Sequence, residues 1–185
     1  MDLYEPLSRY YKRTINHLEI LLELYPDKEW CWNRISCSPQ ITWEFIQKHR
    51  EMPWKWDCIS ENSKITWDIV QSNPDIPWVW SCLSKNPNIT CEIIQNNLDK
   101  PWNWKQLSQN PNITWEFIKR HIGKPWKWKY LSRHPNITWE IVCRHPDMPW
   151  KWHLLSWNPN ITWEIVHDNP DKDWNWYFMT FNEFH

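Results

Sequence analysis

Residues Asn136-Ile137-Thr138-Trp139-Glu140-Ile141-Val142-Cys143-Arg144-His145-Pro146-Asp147-Met148-Pro149-Trp150-Lys151-Trp152-His153-Leu154-Leu155-Ser156-Trp157-Asn158-Pro159 form one period, because Asn160-Ile161-Thr162-Trp163-Glu164 begins the same text again. Working backwards, Asn112-Ile113-Thr114-Trp115-Glu116 opens the preceding unit, and Pro-Trp-x-Trp recurs from Pro101, Pro125 and Pro149. Self-similarity at a fixed spacing of 24 residues marks a repeat array. In such arrays each unit is one supersecondary element that buries its apolar faces only against its neighbours.

Six units start at Ile41, Ile65, Ile89, Ile113, Ile137 and Ile161. A degenerate repeat precedes them at 17–40, where Tyr25-Pro26-Asp27 and Trp30-Cys31-Trp32 stand 48 positions before Asn73-Pro74-Asp75 and Trp78-Val79-Trp80. Residues 17–185 therefore read as a single array with a capping last repeat at 161–185, and residues 1–16 as an N-terminal cap. The 20 Trp of the 185 residues fall almost entirely at two repeat positions, after Thr and in Trp-x-Trp, which marks them as packing residues; Trp157 is the exception.

Each unit reads as two short helices. Thr42 is placed to cap the first, with Glu44 in its positive first turn. At 100° steps Ile41, Phe45, Trp43 and Ile46 share a broad apolar arc, as a helix wedged between two others requires. Asn-Pro-Asp ends it, since Pro disfavours helix in the residue before it. Pro53 or Pro77 is expected to open the second helix in its first turn, where the missing N–H costs nothing, with the two indoles on opposite faces. No segment alternates with period two for long, and Pro interrupts every candidate strand. The predicted fold is all-α: a right-stacked α-solenoid of about seven short helical hairpins.

Composition narrows the function classes. A single Gly beside 15 Pro removes any Gly-rich phosphate-cradling loop. There is no apolar run long enough to span a membrane, and Met1–Lys12 lacks a signal-peptide core, so a cytosolic, non-secreted protein is expected. The six Cys include no Cys-x-x-Cys pair and read as free thiols. Asn-Ile-Thr at Asn88, Asn112, Asn136 and Asn160 reads as turn and cap chemistry rather than as a glycosylation signal. Ser60, Ser84, Ser108, Ser132 and Ser156 recur in every unit, as do His49, His121 and His145 alternating with Asn73, Asn97 and Asn169. A catalytic residue is needed once per site, so recurrence indicates structure; with no metal-binding, nucleophile or Walker signature, no enzyme activity and no cofactor are expected.

The phrase Pro-Trp-x-Trp…Leu-Ser-x-Asn-Pro-Asn-Ile-Thr-Trp-Glu, running over residues 25–180, resembles a tryptophan-rich tandem repeat family of giant nucleocytoplasmic DNA viruses of the marseillevirus and mimivirus kind. The resemblance implies a viral, non-enzymatic repeat protein of the host cytoplasm or viral factory, with the nucleus as a further compartment. It implies no catalytic or ligand residues. Cys91 in place of Trp, Gly123 in place of Asp and Asp173 in place of Pro depart from the pattern.

If repeated positions build the scaffold, the varying ones are free to specify a partner. Four residues apart on the second helix, they run Asp57/Glu61, Ser81/Lys85, Lys105/Gln109, Lys129/Arg133, His153/Trp157 and Tyr177/Phe181: acidic, then basic, then aromatic. Charge follows, with 10 basic and 3 acidic residues in 100–151 inside a chain of net charge −1. The candidate interaction surface is Lys105, Lys119, Arg120, Lys127, Lys129, Arg133, His153 and Trp157, expected to meet an acidic protein, with nucleic acid as the alternative. Phe178, Phe181 and Phe184 are the candidate end contact through which the chain would self-associate as a homodimer or structural component.

Overall fold

In the computed structural model, residues 16–180 and 182 are described. They form fourteen short helices and no strand, two helices to each 24-residue unit: α1 (His17–Leu24) and α2 (Trp32–Ser36) in the degenerate unit, α3 (Trp43–Lys48) and α4 (Trp56–Glu61) in the next, and so on to α13 (Trp163–Asp168) and α14 (Trp176–Met179). The expected N-terminal cap at 1–16 lies, but for Asn16, outside the described residues.

The first helix of each full unit begins as its sequence dictates. Thr42 has extended backbone and its hydroxyl accepts the Phe45 N–H at 3.2 Å; Thr66, Thr90, Thr114, Thr138 and Thr162 cap their helices in the same way. The second helix starts later than expected. Pro53 does not open it; α4 begins at Trp56, and Lys55 before it is extended. The reason lies in Trp54, whose indole N–H donates to the His49 carbonyl at 2.8 Å and whose backbone N–H turns to Met52 O at 2.7 Å. Those bonds hold Pro-Trp outside the helix, so the two indoles diverge because only the second is helical. Trp78, Trp102, Trp126, Trp150 and Trp174 repeat the indole bond to the carbonyl five residues back.

Three sets of hydrogen bonds tie each unit to the one before. The buried Ser60 hydroxyl accepts the Val79 N–H at 3.0 Å, and Ser36, Ser84, Ser108, Ser132 and Ser156 do the same for residues nineteen further on. The Asn86 side-chain amide, fully buried, points at the carbonyls of Ser60, Asn62 and Ile65, while its oxygen takes the Asn88 N–H; Asn110 and Asn158 repeat this. Asn112 reaches back to Pro87 and Ile89 carbonyls, and Asn136 and Asn160 reach to their equivalents. The sequence reading took these Asn for turn residues; their side chains instead satisfy carbonyls of the preceding unit, which would be costly to leave unpaired once buried.

Indoles carry the packing between units under two rules. The second Trp of each Trp-x-Trp meets the first Trp of the next pair edge-on: Trp32–Trp54, Trp56–Trp78, Trp80–Trp102, Trp104–Trp126, Trp128–Trp150 and Trp152–Trp174, with centroids 4.9–5.9 Å apart. The Trp after Thr meets that same incoming ring at a tilt, as Trp43–Trp78, Trp67–Trp102, Trp115–Trp150 and Trp139–Trp174, at 5.7–6.2 Å. Every incoming ring from Trp54 to Trp174 is buried.

Where the Trp after Thr is missing, a larger residue stands in the next unit. Glu19 and Cys91 occupy that position, and the units after them carry Phe45 and Phe117; units following Trp43, Trp67, Trp115 and Trp139 carry Ile69, Ile93, Ile141 and Ile165 instead. Phe45 meets Trp54 edge-on and His49 at a tilt, and Phe117 stacks on Trp104, meets Trp126 edge-on and His121 at a tilt. Volume lost on one side of the unit boundary is regained on the other, which keeps the interior close-packed.

One thiol expectation is corrected. Cys37 and Cys58 are joined by a disulfide that links the first unit to the second, because Cys37 follows the buried Ser36 and faces α4; Cys31, Cys82, Cys91 and Cys143 are free.

Candidate functional site

The varying positions of the second helices form a connected surface near the C-terminal side of the array. Lys129, on helix Trp128–Leu131, places its ammonium 4.7 Å from the Tyr130 ring centre. Arg133 lies just past that helix, beyond its C-cap Ser132, rather than on it as four-residue spacing implied. Its guanidinium sits over Tyr130 at 5.2 Å and over Trp157 of the next unit at 5.9 Å. Trp157, likewise past its helix, is 43% exposed and packs on Phe178 at 5.0 Å, which in turn meets the exposed Tyr177 at 5.8 Å. Cation, ring, cation, ring and ring thus run across three successive units.

The electrostatics of this strip are basic. A hydrogen bond with Lys129 holds the Tyr130 phenol below its ordinary pKa, opposed by partial burial and reinforced by the charges of Lys129, Lys105 and Arg133. The Arg133 guanidinium lies within cation–π range of two rings, and its N–H groups suit a carboxylate or another planar anion.

The basic centre is not one patch. Lys105, Lys129 and Arg133 act on Tyr130, whereas Arg120 and Lys124 act on His121, whose pKa is lowered by burial first and by those two cations next. Lys124 lies 5.3 Å over the Trp104 ring, and Lys119 is paired with Glu116 at 2.8 Å. Arg120 borders a cleft of about 300 Å³ with Cys91, Glu92, Gln95, Thr114, Glu116 and Phe117. Lys127 is exposed, and its backbone N–H is consumed by Ser108. His153 is exposed on helix Trp152–Leu155 and stands outside the series of ring and cation contacts. The sequence joined these residues by charge; the fold separates them because Lys119 and Arg120 end the first helix of the unit while Lys129 lies on the second and Arg133 just past it.

At the acidic end, Cys37, Asp57, Cys58, Glu61, Asn62 and Cys82 line a cleft of about 360 Å³. Burial pushes the Cys82 thiol pKa up, and Glu61 and Asp57 add to it, so this thiol is a poor nucleophile. Lys85 approaches Glu61 at 3.7 Å. Of the proposed end contact, Phe178 is half-buried against Trp157; Phe181 and Phe184 lie outside the described residues. Among the described residues, the exposed apolar surface at that end includes Tyr177 and also Trp163 and Trp176, which the sequence reading passed over as core.

One buried histidine replaces a member of the Asn series. His134 accepts the Asn136 N–H at Nδ1 and therefore donates from Nε2 to the Asn110 carbonyl at 2.9 Å, which fixes the neutral tautomer; burial pushes its pKa down, against the raising effect of the Asn110 bond. Among the described residues no three His, Cys, Asp or Glu side chains gather as a metal requires, and no helix is long and apolar enough to cross a membrane. Compared with protein-family models, with curated proteins and with solved structures, the chain matches none.

Proposed function

We infer that the units stack into one α-solenoid over residues 17–185 and that it serves as a non-enzymatic protein-interaction scaffold. The observation that carries this is the strip Lys129–Tyr130–Arg133–Trp157–Phe178: a cation within reach of two rings, with contacts continuous across three units. Aromatic anchors beside Arg are the residue types that dominate protein interfaces, and the local positive charge selects an acidic partner. The likeness of the repeat to the giant-virus tryptophan-rich family supports a viral protein acting in the host cytoplasm, viral factory or nucleus on a host or viral partner.

A second reading, nucleic-acid binding, is favoured by Lys105, Lys129 and Arg133 gathering about the Tyr130 ring, since phosphate neutralisation beside a stacking surface is what single strands require. One experiment separates them. Affinity capture from nuclease-treated lysate of infected cells should retain one specific partner on the wild-type chain and lose it on Lys129→Glu/Arg133→Glu, with Trp157→Ala weakening it. Capture that survives both changes overturns the scaffold reading; loss on nuclease treatment, with salt-dependent retention of unrelated sequences, establishes the second.

A further inference from the structure

Twenty residues after the second indole of each Trp-x-Trp stand, in turn, Met52, Ile76, Lys100, Lys124, Met148 and Lys172. Met52, Ile76 and Met148 pack against the core. Lys124 and Lys172 place their ammonium groups over the indoles of Trp104 and Trp152, at 5.3 and 5.1 Å from the ring centres. Lys100 behaves differently: it is exposed, and its ammonium pairs with Asp99 at 3.2 Å. The indole twenty residues before it is Trp80, and there a cleft of about 470 Å³ opens, whose walls include Trp67, Trp78, Trp80, Ile76, Asn97 and Lys100.

We propose that this cleft is a binding site for an alkylammonium group, held over the Trp80 indole as Lys124 and Lys172 are held over theirs. The chain itself supplies the precedent, since two of its units fill the equivalent place with a cation on a methylene stem. An indole face attracts a cation through its quadrupole, most strongly where water is excluded, and three indoles line this cleft. Lys172 takes the ring although Asp171 adjoins it in sequence, so ring and carboxylate are comparable hosts for an ammonium. Pairing with Asp99 therefore leaves the place over Trp80 to a cation from outside. The polar surroundings agree with that sign of charge. Asn97 points its amide nitrogen at the Ile93 carbonyl at 2.8 Å, which leaves its oxygen, an acceptor, for a ligand. The stretch 57–99 carries six acidic and two basic residues, opposite in sign to the strip around Arg133. An anionic ligand would need the Lys100 ammonium, which Asp99 already holds. A free amine and a lysine side chain of a partner protein share the chemistry that the cleft recognises.

Titration of the isotope-labelled chain, following the indole N–H signals of Trp67 and Trp80 by NMR, tests the proposal. Butyltrimethylammonium represents the free amine, and a short peptide with one central lysine represents the partner's side chain. Saturable shifts of those signals are expected. A peptide that binds about tenfold or more tightly than the amine assigns a protein partner, and any lesser difference a free amine; either result supports the site. Asp99→Asn should weaken binding about two- to fivefold, because Lys100 is released to lie over the ring and a carboxylate is lost, while Lys100→Ala should strengthen it by a similar factor. Both positions are exposed, so the fold is spared. No saturable shift with either cation at concentrations on the order of 10 mM overturns the proposal. So do unchanged or reversed effects of the two variants, or saturable binding of benzoate that Lys100→Ala abolishes, which would make the cleft an anion site.

Discussion

The replacement of Trp by Cys91 and of Ile by Phe117 should behave as one event. Phe117 is buried, packs on Trp104, Trp126 and His121, and shares with Cys91 the walls of the cleft of about 300 Å³. Cys91→Trp alone brings an indole toward the Trp126 ring that Phe117 already meets, and crowding of this kind costs about 1–3 kcal/mol. Phe117→Ile alone removes ring contacts and leaves a cavity; scaled from larger truncations the cost is about 1–2 kcal/mol. The double variant restores the pairing found between Trp67 and Ile93 or Trp115 and Ile141, so it should lie within about 1 kcal/mol of wild type, giving a coupling of roughly 2 kcal/mol or more. Urea unfolding followed by both far-ultraviolet circular dichroism and tryptophan fluorescence would measure the cycle, provided the two transitions coincide. Strictly additive effects, with a coupling under about 0.5 kcal/mol, would refute the compensation argument.

Two further predictions concern buried polar groups. Trp102→Phe removes the indole N–H bonded to the Asn97 carbonyl at 2.7 Å and leaves that oxygen only the Lys100 N–H, whereas Trp115 Nε1 is the one buried side-chain polar atom without a hydrogen-bond partner among the described residues; Trp102→Phe should therefore be more destabilising than Trp115→Phe by about 1 kcal/mol in urea melts, and equal costs would contradict this. His134 is held neutral, with its folded pKa below the unfolded value of about 6.5, so the unfolded chain takes the proton first: its contribution is full above that value and is lost as pH falls through it toward the folded pKa, with a slope of at most about 1.4 kcal/mol per pH unit. His134→Asn, the residue of the neighbouring units, should flatten that part of the stability-versus-pH curve, and an unchanged slope would place the titration elsewhere.

Helix content and the unit boundaries could be read from the sequence because Thr caps, Pro and Trp act locally and repeat. Other features depend on a partner some twenty residues away. Nothing local to Asn86 says that its amide spans three carbonyls of the preceding unit, although its recurrence at Asn110 and Asn158, and the substitution of His134 in the series, held that information. The Cys37–Cys58 disulfide was hidden for the same reason: the two cysteines stand 21 residues apart, at different repeat positions and in different units. Of the candidate site, Lys129, Arg133 and Trp157 were found by charge and aromatic variation. Tyr130, which meets the two cations, was missed because its repeat position, Gln106 and Leu154 in the neighbouring units, carries no charge or aromatic pattern.

That omission bears on where recognition can reside. The repeated Ser, Asn and Trp positions are spent on joining units: each buried Ser takes a backbone N–H, each buried Asn amide faces carbonyls, and each incoming indole is sandwiched. A side chain whose polar atoms are already satisfied inside the protein has little left to offer a ligand. On the scaffold reading proposed above, binding energy comes instead from positions that differ between units, such as Arg133 beside Tyr130 and Trp157.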